Sequence, residues 1–495
     1  MHYVSTRDKS LRYTSAQAIA QGLSRDGGLF LPAQTPELSL EALEKMVGMT
    51  YHERAQYIMS LYLEDFTAEE LGRFAEKAYG PDRFDTPEVA PLRKVDENTF
   101  CLELWHGPTC AFKDMALQML PHLLTASLKK NQEEKTVCIL VATSGDTGKA
   151  ALEGFRDVDK TRILVFYPKD GVSDIQQLQM ATQEGENVGV SAVVGNFDDA
   201  QTGVKILFSD PELRRELAQR GFFLSSANSI NWGRVLPQIV YYISAYCDLL
   251  KQKAIEPGDP INICVPTGNF GNILAAFYAR EMGLPVRRLL CASNSNNVLT
   301  DFIATGTYDR NRLFYNTVSP SMDILISSNL ERLLFLLSGG DDELVSQYMR
   351  QLSETGRYKV SDPIREKVQA IFAGGYTSEA DTEKTIATMK EEHDYLIDTH
   401  TAVAFHVLRQ YRTRTEDDTK TVVASTASPF KFCDAVLDAL NVSEKATGTA
   451  LLEQLEQVTG VKAPRPLATL KDKKVRFDGW TEKEQMKKVV TDFLK

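Results

Sequence analysis

The sequence lacks the features of disulfide-bonded and membrane-bound proteins. Its seven cysteines include no C-x-x-C pair, which predicts free thiols in a reducing compartment and no disulfide framework or zinc ribbon. No apolar run is long enough to span a bilayer, and the amino terminus lacks the apolar core of a secretory signal. We therefore expect a cytoplasmic protein that does not bind membranes.

Positive charge is also scarce. The chain has 56 Lys and Arg against 67 Asp and Glu, and its net charge of -11 argues against a general nucleic-acid binder. An anionic ligand would therefore need a local site. The 495 residues, 43% of them hydrophobic, predict a globular protein with two or three domains.

Several catalytic motifs are missing as well. None of the seven histidines lies in an H-E-x-x-H motif or has metal-ligand spacing with a cysteine, so we expect no metal site. No G-x-S-x-G motif marks a serine hydrolase. The stretch ATSGDTGKAAL (142–152) has Thr143 and Ala150 where a phosphate-loop NTPase needs glycine and then Ser or Thr.

What is present is an alternation of strands and helices. From residue 135 onward, β-branched runs such as VCILVA (137–142) and INICVP (261–266) lead into helix-like segments, which is typical of βαβ units and parallel sheets. Residues 1–95 instead have the pattern of short helices and predict a separate amino-terminal domain. Residues 323–392 are helical and charged without strands, and we interpret them as an insertion.

Three stretches carry candidate chemistry. Lys113 follows an aromatic residue and precedes an apolar run, so it is either a solvated residue or a working amine. The loop PTGNFGN (266–272) leads onto a helix start, whose free backbone N–H groups favour an anion, although an ordinary βα turn has the same pattern. Ser144, Asp146 and Thr147 occupy another helix start and could bind a small zwitterion or act as caps.

An amine, an anion site and a hydroxyl-rich loop fit pyridoxal phosphate, which needs a lysine, a phosphate site and a ring-nitrogen contact. The ordered motifs HGPTCAFKD, ATSGDTG, PTGNFGN, SANSINWGR and STASPFKF resemble those of the threonine synthase family. So do YVSTR and GLSRDGGLFLP near the amino terminus, which are similar to the longer bacterial and fungal form. The resemblance extends from about residue 3 to residue 434.

The resemblance implies an α/β fold, that of a fold-type II pyridoxal-phosphate enzyme, with two parallel or mixed-sheet domains and a helical amino-terminal domain. The implied division is an amino-terminal domain at 1–95, a small domain at 126–234, and a large cofactor-binding domain at 96–125 and 235–495 that contains the insertion.

It also implies a cofactor site. Lys113 would carry pyridoxal phosphate as a Schiff base and then shuttle protons. Thr426 would face the pyridine nitrogen. The phosphate loop would consist of Gly268, Asn269, Phe270, Gly271 and Asn272.

The implied reaction converts O-phosphohomoserine and water into threonine and phosphate by γ-elimination and β-addition of water, as a phosphate lyase of amino-acid biosynthesis. The substrate carboxylate would meet Ser144, Asp146 and Thr147. Its phosphate would meet the segment that contains Asn228, Ser229, Asn231 and Arg234.

Two alternatives stay open. A serine or threonine dehydratase of the same fold type needs no site for a leaving phosphate, so Arg234 distinguishes it. A noncatalytic threonine-synthase-like binding protein would keep the cofactor loops without turnover. The expected partner is a small-molecule substrate, and the expected assembly is a monomer or a homodimer.

Overall fold

The computed structural model describes residues 1–169 and 171–495; Asp170, in the predicted small domain, lies outside the described residues. The amino-terminal region contains a small antiparallel sheet in the order β2-β1-β3. Its strands are β1 (Tyr3–Ser5), β2 (Asp8–Tyr13) and β3 (Phe30–Pro32). Its helices are α1 (Ser15–Gln21), α2 (Leu40–Met46), α3 (Tyr51–Tyr62) and α4 (Ala68–Tyr79).

Capping boxes begin three of these helices. Thr14, Thr50 and Thr67 each accept a hydrogen bond from the backbone of the third helical residue, whose Gln or Glu side chain bonds back to the cap. Because such signals are local, the helical character of this region was predictable. The small sheet is an addition to the prediction, since strands of three residues are too short to show an alternating pattern.

The rest of the chain forms two larger sheets and a two-stranded ribbon. Its strands are β4 (Leu92–Lys94), β5 (Thr99–Glu103), β6 (Thr136–Ala142), β7 (Thr161–Pro168), β8 (Val188–Val193), β9 (Phe222–Ser225), β10 (Ile261–Pro266), β11 (Val286–Ser293), β12 (Thr307–Asp309), β13 (Arg357–Lys359), β14 (Phe372–Tyr376), β15 (Thr421–Ser425) and β16 (Trp480–Thr481).

Helices cover these sheets. They are α5 (Asp114–Leu117), α6 (Leu120–Lys130), α7 (Asp146–Phe155), α8 (Asp174–Ala181), α9 (Phe197–Ser209), α10 (Pro211–Gln219), α11 (Trp232–Lys251), α12 (Gly271–Glu281), α13 (Val298–Thr305), α14 (Leu330–Leu337), α15 (Asp342–Thr355), α16 (Asp362–Ile371), α17 (Glu379–His393), α18 (Thr399–Thr415), α19 (Cys433–Ala439), α20 (Ala450–Thr459), α21 (Arg465–Ala468) and α22 (Met486–Phe493).

The larger sheet has six strands in the order β14-β11-β10-β15-β5-β4. All its pairings are parallel except that of β4 with β5. Every residue of β5, β10 and β15 is buried, as expected for parallel strands that helices cover on both faces.

The second sheet has five strands in the order β16-β8-β7-β6-β9, all parallel. The predicted α/β fold with parallel and mixed sheets is thus present in both halves. Loops that follow the carboxyl ends of β6 and β10 lead directly into α7 and α12, the usual place for a ligand in such sheets.

Two details of the predicted domain division are wrong. The segment 323–392 was expected to lack strands, yet it contains β13 and β14, and β14 forms an edge of the six-stranded sheet. The sequence of β14, FAGGY, does not predict a strand, because glycine has a low β propensity. The carboxyl-terminal residues were assigned to the large domain, but β16 pairs with β8 of the five-stranded sheet. A two-residue strand leaves no sequence signal, so only its tertiary pairing reveals it.

The remaining domain boundaries stay a prediction. Within the residues that the structure describes, no helix is both long enough and apolar enough to cross a bilayer.

Candidate active site

Two loops hold Lys113 beside the end of β15. The backbone N–H of Phe112 donates to the Thr426 carbonyl at 2.8 Å, and Ala111 forms an isolated antiparallel bridge with Ala427. The N–H of Ser428 donates to the carbonyl of Cys110 at 3.0 Å. The lysine motif and the STASPFKF motif, more than 300 positions apart in the sequence, therefore form one short backbone pairing.

The Lys113 side chain is buried, with 8% of the residue exposed. Its Nζ donates to Ser321 Oγ at 3.3 Å and lies 3.6 Å from Asp146 Oδ2. The same atom lies 4.8 Å from the centre of the Phe112 ring. Of the two alternatives that the sequence left open, the structure excludes the solvated residue. Lys113 is a buried amine with weak partners.

Burial lowers the pKa of Lys113, the Asp146 carboxylate opposes that change, and the positive charges of Arg234 and Lys431 lower the pKa further. A lower pKa increases the fraction of neutral amine near neutral pH. Neutral amine is the form that attacks a carbonyl and accepts a proton.

The PTGNFGN loop begins helix α12 without a side-chain cap. Phe270 adopts a left-handed conformation with φ of 63° at the N-cap position. A Cβ atom on Gly268 would lie 2.6 Å from the Ser321 carbonyl oxygen, so only glycine fits there. The uncapped backbone N–H groups of this helix start are available for an anion.

Asn272, in the first turn of α12, fits a phosphate group as well. Its Oδ1 accepts hydrogen bonds from Tyr241 at 2.7 Å and from Tyr242. Its Nδ2 is buried and has no partner among the described residues. Two donors on the oxygen turn the amide so that its NH2 group is left for an acceptor, which a phosphate oxygen would supply.

Residues that the sequence analysis did not identify support this loop. Asn329 donates from its backbone and its side chain to the Asn269 carbonyl at 3.1 and 3.0 Å. Ser327 Oγ donates to the Gly268 carbonyl at 2.7 Å. Both lie in the region that was interpreted only as an insertion, and no sequence signal links them to the loop.

Thr426 lies at the end of β15 and is buried. Its backbone carbonyl bonds the residue before Lys113, so its position relative to the amine is constrained. The predicted contact of its hydroxyl with a ring nitrogen stays a prediction.

The second helix-start loop is arranged differently from the predicted carboxylate site. Thr143 Oγ1 accepts hydrogen bonds from the N–H groups of Gly145 and Gly148 at 3.0 and 2.9 Å. Ser144 and Thr147 are partly exposed and stay candidates for a substrate carboxylate. The Asp146 carboxylate is itself negative and would repel a second carboxylate, and its oxygens already pair with Lys113 and Lys431.

Besides Lys113, Asp146 has three partners among the described residues. Its Oδ1 is 3.0 Å from Lys431 Nζ and accepts from Gln176 at 2.8 Å, and its Oδ2 accepts from Ser321 at 3.4 Å. Burial acts to raise the pKa of Asp146, but the charges of Lys431 and Lys113 and the Gln176 hydrogen bond hold it well below its usual value. Asp146 is therefore a carboxylate that partners the amine.

Two of the predicted ligands in the segment 228–234 already have hydrogen-bond partners within the protein. Asn231 donates from Nδ2 to the Ile19 carbonyl at 3.0 Å and accepts from the Gly233 N–H at 2.9 Å, so it caps helix α11. Ser229 Oγ accepts from Asn329 at 3.1 Å. Asn228 is partly exposed; its backbone N–H donates to the Ser226 hydroxyl at 3.2 Å, and its carbonyl accepts from the Asn231 N–H at 3.1 Å.

Arg234, in the first turn of α11, keeps a free donor. One of its terminal nitrogens donates to the Ala227 carbonyl, while Nε is buried without a partner in the described part of the chain. Burial lowers the pKa of Arg234 to about 10, which leaves the guanidinium charged at neutral pH. Its positive charge is close enough to Lys113 to contribute to the lowered pKa of that amine.

Three more residues at the site were not predicted. The Ser321 hydroxyl contacts Lys113 and Asp146, and its N–H donates to His400 Nε2 at 3.2 Å. Lys431 is fully buried. A lysine between two phenylalanines in STASPFKF was a signal for burial, whereas Ser321 and His400 lie in unremarkable sequence.

Comparisons with known proteins identify the family. A family model described as "Threonine synthase N terminus" matches residues 2–79, and one described as "Threonine synthase, C-terminal" matches residues 401–490. A third, "Pyridoxal-phosphate dependent enzyme", matches residues 85–427, more than half of the chain.

Among the similar sequences, "Threonine synthase-like 1" of Homo sapiens is 44% identical over 440 residues that cover 87% of this chain. The match covers 58% of that relative, so this chain spans less than two thirds of its length. "Threonine synthase" of Pseudomonas aeruginosa is 39% identical over 440 residues, with 88% of this chain and 90% of the relative covered.

Two solved structures have the same fold. The pyridoxal-phosphate-bound threonine synthase from Brucella melitensis superimposes with a TM-score of 0.88 at 36% identity and covers 100% of this chain and 98% of its own. The threonine synthase from Escherichia coli gives 0.77 at 28% identity and covers 99% and 100%. The predictions of fold-type II architecture and of pyridoxal phosphate as the cofactor are confirmed. The chain belongs to the threonine synthase family of pyridoxal-phosphate dependent enzymes.

Proposed function

We propose that this chain is a phosphate lyase that converts O-phosphohomoserine and water into threonine and phosphate. The observation that carries the proposal is the pairing of a buried amine, Lys113, with two separate anion-binding features. One is the α12 helix start with the free amide of Asn272, and the other is the free donor of Arg234. A cofactor phosphate and a substrate phosphate need two such sites.

The residues of the chain have the following proposed roles. The backbone at Gly268, Asn269, Phe270 and Gly271 and the Asn272 side chain hold the cofactor phosphate, and Thr426 lies at the ring nitrogen. Pyridoxal phosphate, when bound, stabilises negative charge on the carbon next to the substrate amine. Lys113 removes the proton from the substrate α-carbon and later returns a proton.

The substrate would lie between the two helix-start loops. Ser144 and Thr147 bind its carboxylate. Arg234 directs its donors at the leaving phosphate, with Asn228 and Ser229 beside it. Asp146 positions Lys113, and Asn231 positions the start of helix α11. The polar atoms of both side chains already have protein partners.

A phosphate-release assay tests the proposal. The purified chain with pyridoxal phosphate should release phosphate from O-phosphohomoserine and form threonine, while serine and threonine stay intact. Lys113→Ala should lose both the visible absorption of the bound cofactor and turnover. Wild-type turnover by Lys113→Ala would overturn the proposal, and deamination of serine would favour the dehydratase.

Arg234→Lys tests the phosphate assignment because it keeps the charge and loses the planar fork of donors. We expect KM for O-phosphohomoserine to rise by about 10-fold or more, because one charge-assisted hydrogen bond to the substrate is lost. The spectrum of the bound cofactor should be unchanged. Equal weakening of cofactor binding would contradict the assignment.

A noncatalytic or differently specific protein is the second candidate. It is favoured by the higher identity to threonine synthase-like 1, 44%, than to the threonine synthase of P. aeruginosa, 39%. Such a protein would bind the cofactor and show its visible absorption without releasing phosphate from O-phosphohomoserine.

A further inference from the structure

A second buried lysine lies behind the amine of Lys113. Lys431 follows β15 and is fully buried. Its Nζ donates to the Thr109 carbonyl and to Gln179 Oε1, both at 2.8 Å, and lies 3.0 Å from Asp146 Oδ1. All three partners are polar oxygens, so this ammonium has the charge and hydrogen-bond partners that a buried cation needs.

The Asp146 carboxylate lies between the two lysines and is closer to Lys431 than to Lys113. Its Oδ1 is 3.0 Å from Lys431, whereas its Oδ2 is 3.6 Å from Lys113, outside good hydrogen-bond distance. Gln176 and Ser321 also donate to this carboxylate, at 2.8 and 3.4 Å. Most of the donors to Asp146 are thus supplied by residues other than Lys113.

The distribution of charge matters because of what Lys113 has to do. A buried lysine alone with a carboxylate keeps its proton, since the ion pair favours the charged form. The Lys113 amine has to be neutral to react with an aldehyde. With one carboxylate and two lysines in the same buried site, one ammonium is in excess.

We propose that Lys431 is a positioning residue that engages the Asp146 carboxylate, so that Lys113 can release its proton to solvent and present a neutral amine to the aldehyde of the cofactor. Lys431 has the shorter ion pair and two further acceptors, and it remains the cation. Lys113 has one hydroxyl partner and the longer ion pair, and it gives up the proton.

The other charged groups around Lys113 are consistent with this assignment. Arg234, from α11, adds a positive charge that also favours the neutral amine. His400, from α18, contacts Ser321 and not the amine, and its Nδ1 is 2.7 Å from Asp398. Asp114, next in the chain, accepts from the Thr109 N–H and hydroxyl at 2.8 and 2.7 Å and is occupied there.

The inference rests on the proposed role of Lys113, and its test measures the amine without turnover. The chain of residues 1–495, freed of cofactor, is mixed with pyridoxal phosphate, and the initial rate of growth of the visible absorption is recorded between about pH 6 and about pH 10. The midpoint of that rate profile reports the loss of the Lys113 proton. Lys113→Ala, which should show no absorption growth, tests the proposed function separately.

Lys431→Met removes the charge and leaves an unbranched side chain that is one atom shorter. Because Lys113 is then the one lysine that remains beside the Asp146 carboxylate, we expect the midpoint to move up by about one pH unit or more. Lys431→Arg should titrate close to the wild type. The double variant Lys431→Met, Asp146→Asn, in which neither charge remains, should return most of the way to the wild-type midpoint.

A purely structural role would not produce this pattern. An unchanged midpoint in Lys431→Met, or a double variant that stays as shifted as the single variant, overturns the inference. If Lys431→Met does not fold, Asp146→Asn alone decides, since it should lower the midpoint and an unchanged value would contradict the inference. Lys487→Met is the matched control, because Lys487 pairs with Asp210 at the surface, 2.7 Å away, and should leave the midpoint unchanged.

Discussion

The loop at 267–270 and the loop at 143–145 follow buried parallel strands and lead into helices, but they offer opposite environments. The first has no side-chain cap, and the amide NH2 of Asn272 beyond it is unpartnered within the described residues. In the second, the Thr143 hydroxyl accepts two loop N–H groups, and the Asp146 carboxylate occupies the helix start. The first loop therefore keeps donors free for an anion, whereas the Asp146 carboxylate at the second pairs with Lys113 and Lys431.

The difference teaches that a glycine-bearing turn at a helix start does not by itself define a phosphate site. The helix dipole is the same at both starts. What differs is whether the protein already supplies the negative charge and the acceptors. At the start of α7, Asp146 supplies the negative charge and Thr143 supplies the acceptor. At the start of α12, a ligand has to supply both.

The largest expected effect is at Gly268. Gly268→Ala would bring a Cβ atom within 2.6 Å of the Ser321 carbonyl oxygen, so the loop at 267–270, here called the anion-binding loop, has to move. We expect cofactor affinity to fall by about 100-fold or more, since several hydrogen bonds to a charged group are lost together. Equilibrium titration with pyridoxal phosphate checks this. Gly48→Ala, where a Cβ meets no atom within 4 Å, should leave the affinity unchanged.

Asn272→Asp makes the anion-binding loop resemble the α7 loop. The tyrosine hydroxyls can still donate to one carboxylate oxygen, but the other oxygen replaces the free NH2 group. Cofactor affinity should fall by about 10-fold to 100-fold through loss of a charge-assisted hydrogen bond, with like-charge repulsion in addition. Tyr242→Phe, which leaves Tyr241 in place, should have a smaller effect. Wild-type affinity in Asn272→Asp would break the comparison.

Thr143→Val tests the loop that is already satisfied. The substitution leaves the Gly145 and Gly148 N–H groups without an acceptor, which should cost about 1–3 kcal/mol of unfolding free energy. Urea denaturation measures the loss, and Thr143→Ser, which keeps the hydroxyl, should recover most of it. Affinity for pyridoxal phosphate should change much less than in Asn272→Asp.

The smallest effect concerns a charge outside both loops. Burial acts to lower the pKa of His106, but its hydrogen bonds to Asp85 at 2.6 Å and Glu103 at 2.8 Å raise it to about 9. The folded state therefore holds a proton that the unfolded state releases near pH 6.5, so this stabilisation is present below about pH 6.5 and is lost as pH rises to about 9.

His106→Gln should accordingly flatten the fall of the melting temperature between those two pH values. Differential scanning calorimetry of the variant and the wild type checks this. A decline as steep in His106→Gln as in the wild type would contradict it. Cofactor affinity at neutral pH should be nearly the same in both proteins.

Much of the fold was predictable because its signals are local. Threonine caps such as Thr50 and buried strands such as INICVP are read within a few residues. Strands β1, β14 and β16 were not predicted because they are short or contain glycine. They form only through pairing with strands that are distant in the sequence.

The candidate site divides in the same way. The sequence by itself predicted Lys113 and the turn at 267–271 as parts of a cofactor site, and the family resemblance added Thr426. The structure pairs the backbones next to Lys113 and Thr426, whereas the contacts of all three with the cofactor stay a prediction. The sequence did not determine that Asp146 partners the amine, that Asn231 is a cap, or that Lys431 and Ser321 complete the site. These assignments depend on distances between residues far apart in the chain, and in a buried site distance decides which charge a carboxylate neutralises.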